Sequence, residues 1–201
     1  MNEFTPLSRE RSLLFEALQE EGEYCHPPAD LHPRDIAGRL IYLEEFADIR
    51  EGEATIDWLL RRDEKTKHER QILGTCYLPR VQGELNPLFE WMLKNTLKRE
   101  PDYLIILDLK FWFFSNDRSR EILVYHELSH CFHKTNREGE KRYTFDELPV
   151  WGLKGHDVEE FTAVAQRYGA WNHELESFRD ALNAHAEETS VSKVSPASHR
   201  K

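Results

Sequence analysis

The sequence predicts an α+β fold, and three observations carry that prediction. Apolar residues recur at helical spacing before residue 50 and again beyond residue 86, short β-prone runs lie between them, and one strongly apolar run leads directly into a capped helix. With 39% hydrophobic, 32% charged and 11% aromatic residues in 201, the chain has the composition of a globular protein with one main core rather than of a disordered or fibrous one.

Leu7, Leu14, Phe15 and Leu18 predict a first helix through Glu20, and a second follows Pro33 through Ile36, Leu40, Leu43 and Phe46. The prolines of "CHPPADLHP" make the intervening stretch a loop. "ATIDWLL" and "RQILGTCYL" read as two antiparallel strands joined by the long polar turn "RRDEKTKHE". In "NPLFEWMLKNTLKRE", Asn86 is the expected N-cap and Pro87 the first helical residue, with Leu88, Trp91, Met92 and Leu97 near one face. "DYLIILDLKFWFF", residues 102–114, is expected as a buried strand. The next helix starts near Ser115–Asp117 and carries Ile122, Leu123, Tyr125, His126, Leu128 and His130, reaching toward His133. Residues 136–154 form a polar loop of functional length, helical spacing resumes at Val158, Phe161, Ala165 and Tyr168 up to Gly169, and a last helix covers Asn172–His185. The expected organisation is a helical N-terminal extension at 1–53, an α+β domain with a small antiparallel or mixed sheet at 54–186, and a disordered tail at 187–201.

Charge and cysteine usage exclude several functions. With 27 Lys and Arg against 37 Asp and Glu the formal charge is −10, so no general attraction to a nucleic-acid backbone is expected. No apolar run approaches the roughly 20 residues that span a bilayer, and residues 1–20 lack the pattern of a secretory signal, so the expected location is the cytoplasm, with no membrane partner. Cys25, Cys76 and Cys131 are odd in number and have no C-x-x-C spacing; they are expected to be reduced and structural.

The chemistry is concentrated in "VYHELSHC", residues 124–131. Side chains four apart on a helix are neighbours, so His126 and His130 can send their imidazoles to one zinc ion. Glu127, one position after the first ligand, can reach a water on that ion and take its proton as the water attacks a carbonyl. A catalytic zinc needs a third protein ligand and an open position. His133 stands on the same face but a further turn along, and the metzincin continuation is excluded because positions 133 and 136 hold His and Asn. His156, in "GHDVEEF" at the start of a new helix after the loop, is the better source, with Glu160 on the same face as the other candidate; Asp157, Glu159 and Glu160 also complement the positive end of that helix. Tyr143, Tyr168 and His173 are candidate oxyanion donors, each with an equally ordinary structural role, so none is assigned.

The segment from about Ile56 to Trp171 resembles the phage metallopeptidase domain family through "RQILGTCYLPRVQGELNPLFEWML", "PDYLIILDLKFW", "VYHELSHC" and "GHDVEEFTAVAQRYGAW". More distantly, the pairing of "HELSH" with "GHDVEEF" is similar to the SprT-like and Spartan proteases. The resemblance implies a zincin-like metallopeptidase domain with a three-histidine zinc site of His126, His130 and His156 and with Glu127 as general base. Asp157 departs from the glycine of the SprT-like pattern. The resemblance further implies a protein or peptide substrate, a phage-infected or lysogenic bacterial cell, and substrate addition along a strand within Tyr103–Trp112. Two other classes fit less well. A zinc-stabilised binding module would need a fourth ligand, and a DNA-associated protease is disfavoured by the charge and the missing cysteine ribbon.

Overall fold

The structure, a computed structural model, describes residues 8–158, 165, 169–170 and 173–192. The chain divides into two compact units, Met1–Lys154 and Gly155–Lys201. Seven α-helices among the described residues and small mixed sheets give the expected α+β class.

In the first unit, helix α1 (Arg9–Glu21) is capped by the Ser8 side chain, and α2 (Pro33–Leu40) opens on a proline at its first turn. The second predicted helix does not continue to Phe46. The chain leaves α2 at Ile41, passes through a 3-10 turn at Glu44–Phe46 and restarts as α3 (Ala47–Glu51). Segment 1–53 supplies Leu18, Cys25, Ala37, Phe46 and Ile49 to the same core that the sheet fills.

That sheet has the order β1-β2-β6-β5, where β1 is Tyr24–Cys25, β2 Ile56–Arg61, β5 Gly74–Tyr77 and β6 Tyr103–Asp108. The runs around β2 and β5 were expected to pair with each other; instead β6 lies between them, parallel to β2 from Ile56↔Tyr103 to Arg61↔Asp108 and antiparallel to β5 from Gly74↔Leu107 to Tyr77↔Leu104. The reason is burial. Tyr103, Ile105 and Leu107 share one face and are wholly inaccessible, and Leu104 and Ile106 on the other face are half-buried, the two-sided cover that a central strand receives. β6 is therefore central rather than the edge strand expected within Tyr103–Trp112, and β5 is the edge. The polar turn between β2 and β5 holds its own two-residue-strand hairpin, β3 (Thr66–Lys67) with β4 (Arg70–Gln71), turning through His68 and Glu69, both at positive φ (50° and 63°).

The apolar run 102–114 is not one strand. It ends at Asp108, whose carboxylate accepts the Phe111 N–H at 2.8 Å and starts α5 (Leu109–Phe114). Leu109, Trp112 and Phe113, at helical spacing, then bury the same stretch that alternation would have split between two faces. Helix α4 (Asn86–Leu97) begins one residue earlier than expected, with Leu85 as N-cap, and leaves Leu88, Trp91 and Met92 more than half exposed.

Helix α6 (Asp117–Ser129) follows, capped by Asn116 accepting from Ser119 N–H at 2.8 Å. Buried Arg120 donates to the Trp112 and Phe113 carbonyls at 2.7 and 3.2 Å, satisfying the end of α5 and fixing the start of α6 against it. α6 stops at Ser129, and the chain turns into β7 (Cys131–His133), which pairs antiparallel with β8 (Trp151–Leu153). Residues 136–154, expected as a loop, are largely this hairpin's excursion, stitched by the bridges Thr135↔Lys141 and Tyr143↔Pro149. The Tyr103 hydroxyl sits within 3.0 and 2.9 Å of the Phe132 and Gly152 carbonyls, so the hairpin is anchored to the central strand.

In the second unit, Gly169 adopts φ 70° and donates its N–H to Ala165 at 2.9 Å, the helix ending expected there. The last helix, α7 (His173–Ser192), runs past His185 and through the first part of the tail expected to be disordered from 187.

The switch from β6 to α5 yields a stability prediction. Asp108→Ala should cost about 1 to 2 kcal/mol by removing the cap, whereas Asp108→Asn should keep most of it. Urea unfolding of the two variants makes the comparison, and equal losses would mean that the side chain acts otherwise than as a cap.

Candidate metal centre

The last turn of α6 and its C-cap carry two histidines with an acid between them in sequence. His126 and His130 lie on the open face with ring centroids 5.1 Å apart and planes at 83°, His126 exposed and His130 half-buried. Both stand at the helix C-terminus, where the backbone dipoles favour a cation.

His130 is oriented by the chain's return. Its Nδ1 lies 2.7 Å from the Lys154 carbonyl, which can only accept, so Nδ1 carries the proton and Nε2 is left as the ligating nitrogen. The Lys154 N–H in turn donates to the His130 carbonyl at 2.8 Å, continuing the pairing Cys131↔Leu153 of β7 and β8 by one more step. The hairpin thus returns the chain to His130, and His156 follows two residues later, within about 7 Å of chain reach. Among the described residues, His126, His130 and His156 are the one group of His, Cys, Asp and Glu side chains that could hold a metal ion.

Glu127, between the two histidines in sequence, is buried, 2% exposed. Its Oε2 is buried without a hydrogen-bond partner, and burial pushes its pKa up to about 7. An orphaned carboxylate oxygen is costly unless something compensates it, and a nearby cation would do so. Room for the side chain exists only because residue 74 is glycine. A Cβ there would stand 2.3 Å from Glu127 Oε1 and 2.7 Å from Cδ, so β5 approaches the acid more closely than any other residue type allows. Two positions along β5, Cys76 Sγ lies 3.5 Å from Cys131 Sγ, both buried. The shared hydrogen bond and then burial push the Cys131 thiol up.

The remaining candidates separate clearly. His133 is not on the helix but in β7, 1% exposed, with Nε2 donating to the Arg142 carbonyl at 2.7 Å and its ring against Tyr143 and Trp151 at 5.0 and 5.2 Å; it is a core histidine. Tyr143 is 56% exposed and covers His133, and His173 is the exposed first residue of α7. Glu159, Glu160 and Tyr168 lie outside the described residues. Gly74 and the Lys154 carbonyl were not identified from sequence, although a glycine inside a strand pattern is a signal of close backbone approach.

The close contact predicts a coupling. Gly74→Ala should destabilise the fold by about 1 to 3 kcal/mol through overpacking, and adding Glu127→Ala should recover most of that loss. Chemical denaturation of the double-mutant cycle measures it; strictly additive losses would show that the contact is not what constrains residue 74.

Comparison with curated proteins and with solved structures finds no match. A family model does match, over residues 29–181, which spans both "HELSH" and "GHDVEEF" and most of the chain. The chain therefore belongs to the family described as "Putative phage metallopeptidase".

Proposed function

We propose that the chain is a zinc-dependent metallopeptidase in which His126, His130 and His156 hold the ion and Glu127 is the general base. The observation that carries this reading is the pairing of three clustered ring nitrogens with a buried acid on the same helix turn, one of whose oxygens has no protein partner. Family membership supports a peptidase acting on protein or peptide substrates.

The donor set suits zinc, which takes three protein nitrogens and keeps one position open. Bound there, zinc supplies Lewis acidity, lowering the pKa of a water to about 7 and polarising a carbonyl. The protein's part is positional and acid–base. Lys154 holds His130 in the tautomer protonated at Nδ1, and the packing of α6 on β5 holds the Glu127 carboxylate against Gly74. Glu127 takes the proton of the attacking water and returns it to the leaving amine. β5, the sheet edge beside Glu127, offers unpaired backbone groups along which an extended peptide can add as a further strand. We place this activity in the cytoplasm of a phage-infected or lysogenic bacterial cell, on the family's phage association, with no direct nucleic-acid or membrane partner.

Metal content decides the ligand set. His126→Ala and His156→Ala should each lose zinc under mild chelation, with lowered melting temperatures, because bound metal contributes to folding free energy. Asp157→Asn and Glu159→Gln should keep it. If His156→Ala retains zinc while Glu160→Ala releases it, the third ligand is the glutamate and that assignment fails.

Glu127→Gln should keep zinc yet lose at least about a hundredfold in hydrolysis of a quenched-fluorescence peptide library, since an amide cannot accept the proton at neutral pH. Equal turnover in the variant would overturn the mechanism.

A further inference from the structure

Two buried sulfurs take no part in the proposed hydrolysis and face each other beside it. Cys76 comes from β5 and Cys131 from the start of β7, 55 positions apart in sequence, yet their Sγ atoms are 3.5 Å apart. Both are free thiols and no more than 8% exposed. The third cysteine, Cys25, lies on β1 at the opposite edge of the sheet, three strand spacings or about 14 Å from β5. Only one of the three possible pairs is therefore within reach.

We propose that Cys76 and Cys131 form a dithiol modification site, oxidised by hydrogen peroxide to an intrachain disulfide that staples edge strand β5 to the end of α6. The sulfurs must approach by about 1.5 Å to reach a bond of roughly 2.05 Å. β5 supplies that movement: it is four residues long and paired on one side only, to β6. The step balances. One sulfur, giving up its proton, attacks the peroxide as a thiolate; the O–O bond breaks to leave a sulfenic acid, and the departing hydroxide takes that proton as one water. The second sulfur, likewise deprotonated, displaces the sulfenic hydroxyl, the S–S bond forms, and the hydroxide leaves with the second proton as a second water. Two protons and two electrons pass from the thiols to the peroxide. Gly74 is two residues before Cys76 and Glu127 four before Cys131, so the staple runs parallel to the Gly74–Glu127 contact and locks the same strand against the same helix end.

The test uses the reduced full-length protein, treated with hydrogen peroxide, quenched, denatured, alkylated and read by intact mass and peptide mapping. Two of the three thiols should become unavailable to alkylation, the peptide holding Cys76 should be joined to the one holding Cys131 within one chain, and dithiothreitol should reverse the change. Cys25→Ser should behave as the wild type does, and Cys76→Ser and Cys131→Ser should form no link. Three alkylatable thiols after treatment, a link involving Cys25, or a link between chains would each overturn the proposal. Should the buried Ser variants fail to fold, the wild type and Cys25→Ser decide the matter alone. The readout is covalent mass, so it stands or falls separately from zinc binding and peptidase activity.

Discussion

Two hydrogen bonds between His130 and Lys154 hold the site together. One, from the Lys154 N–H to the His130 carbonyl at 2.8 Å, extends the β7–β8 ladder to the end of the helix; the other, 2.7 Å between His130 Nδ1 and the Lys154 carbonyl, fixes the ring. A single residue thereby closes a 24-position separation in sequence and selects a tautomer. Within the first unit it carries the β7–β8 ladder one step beyond Leu153, to the residue that ends α6. The hairpin that delivers Lys154 is itself anchored, through the Tyr103 hydroxyl, to the most buried strand of the sheet.

The acid at 127 is governed by a different constraint, the approach of β5. Leu123, Val124 and Leu128 bury the same face of α6, and Glu127 shares that face, so its carboxylate enters an apolar surrounding where the charged form is disfavoured. A general base benefits from such a surrounding only if a cation restores the charged form when the site is loaded. Helix, strand and glycine together keep the acid dry while His126, the residue before it, is exposed.

Much of this was legible from residue types, and the limits were physical. Helical neighbours are fixed by local geometry, so the adjacency of the His126 and His130 rings could be read without the fold. His133 misled because helical spacing continues on paper through Cys131, while the backbone leaves the helix at His130 to pair with a strand twenty residues later. The run 102–114 misled because hydrophobicity alone does not separate a buried strand from a buried helix; Asp108 marks the boundary, and an acid inside an apolar run was the available sign. Strand partners were not legible. That β6 lies between β2 and β5 follows from which strand needs two covered edges, a property of the assembled sheet. The β3–β4 turn, built on His68 and Glu69 instead of the usual Asn-Gly or Asp-Gly, carried no sequence signal.

The hairpin between β7 and β8 also bears on how such chains can diverge. Its ends are pinned at His130 and Lys154, while its outer part, from Asn136 to Leu148, is mostly exposed, Phe145 fully so. Residues added or removed at the exposed tip would leave the closing hydrogen bonds between His130 and Lys154 unchanged. The hairpin's length can therefore change without moving the residues that close it. Kinship is better sought in the two short motifs, each with its flanking strand, than in any fixed interval separating them.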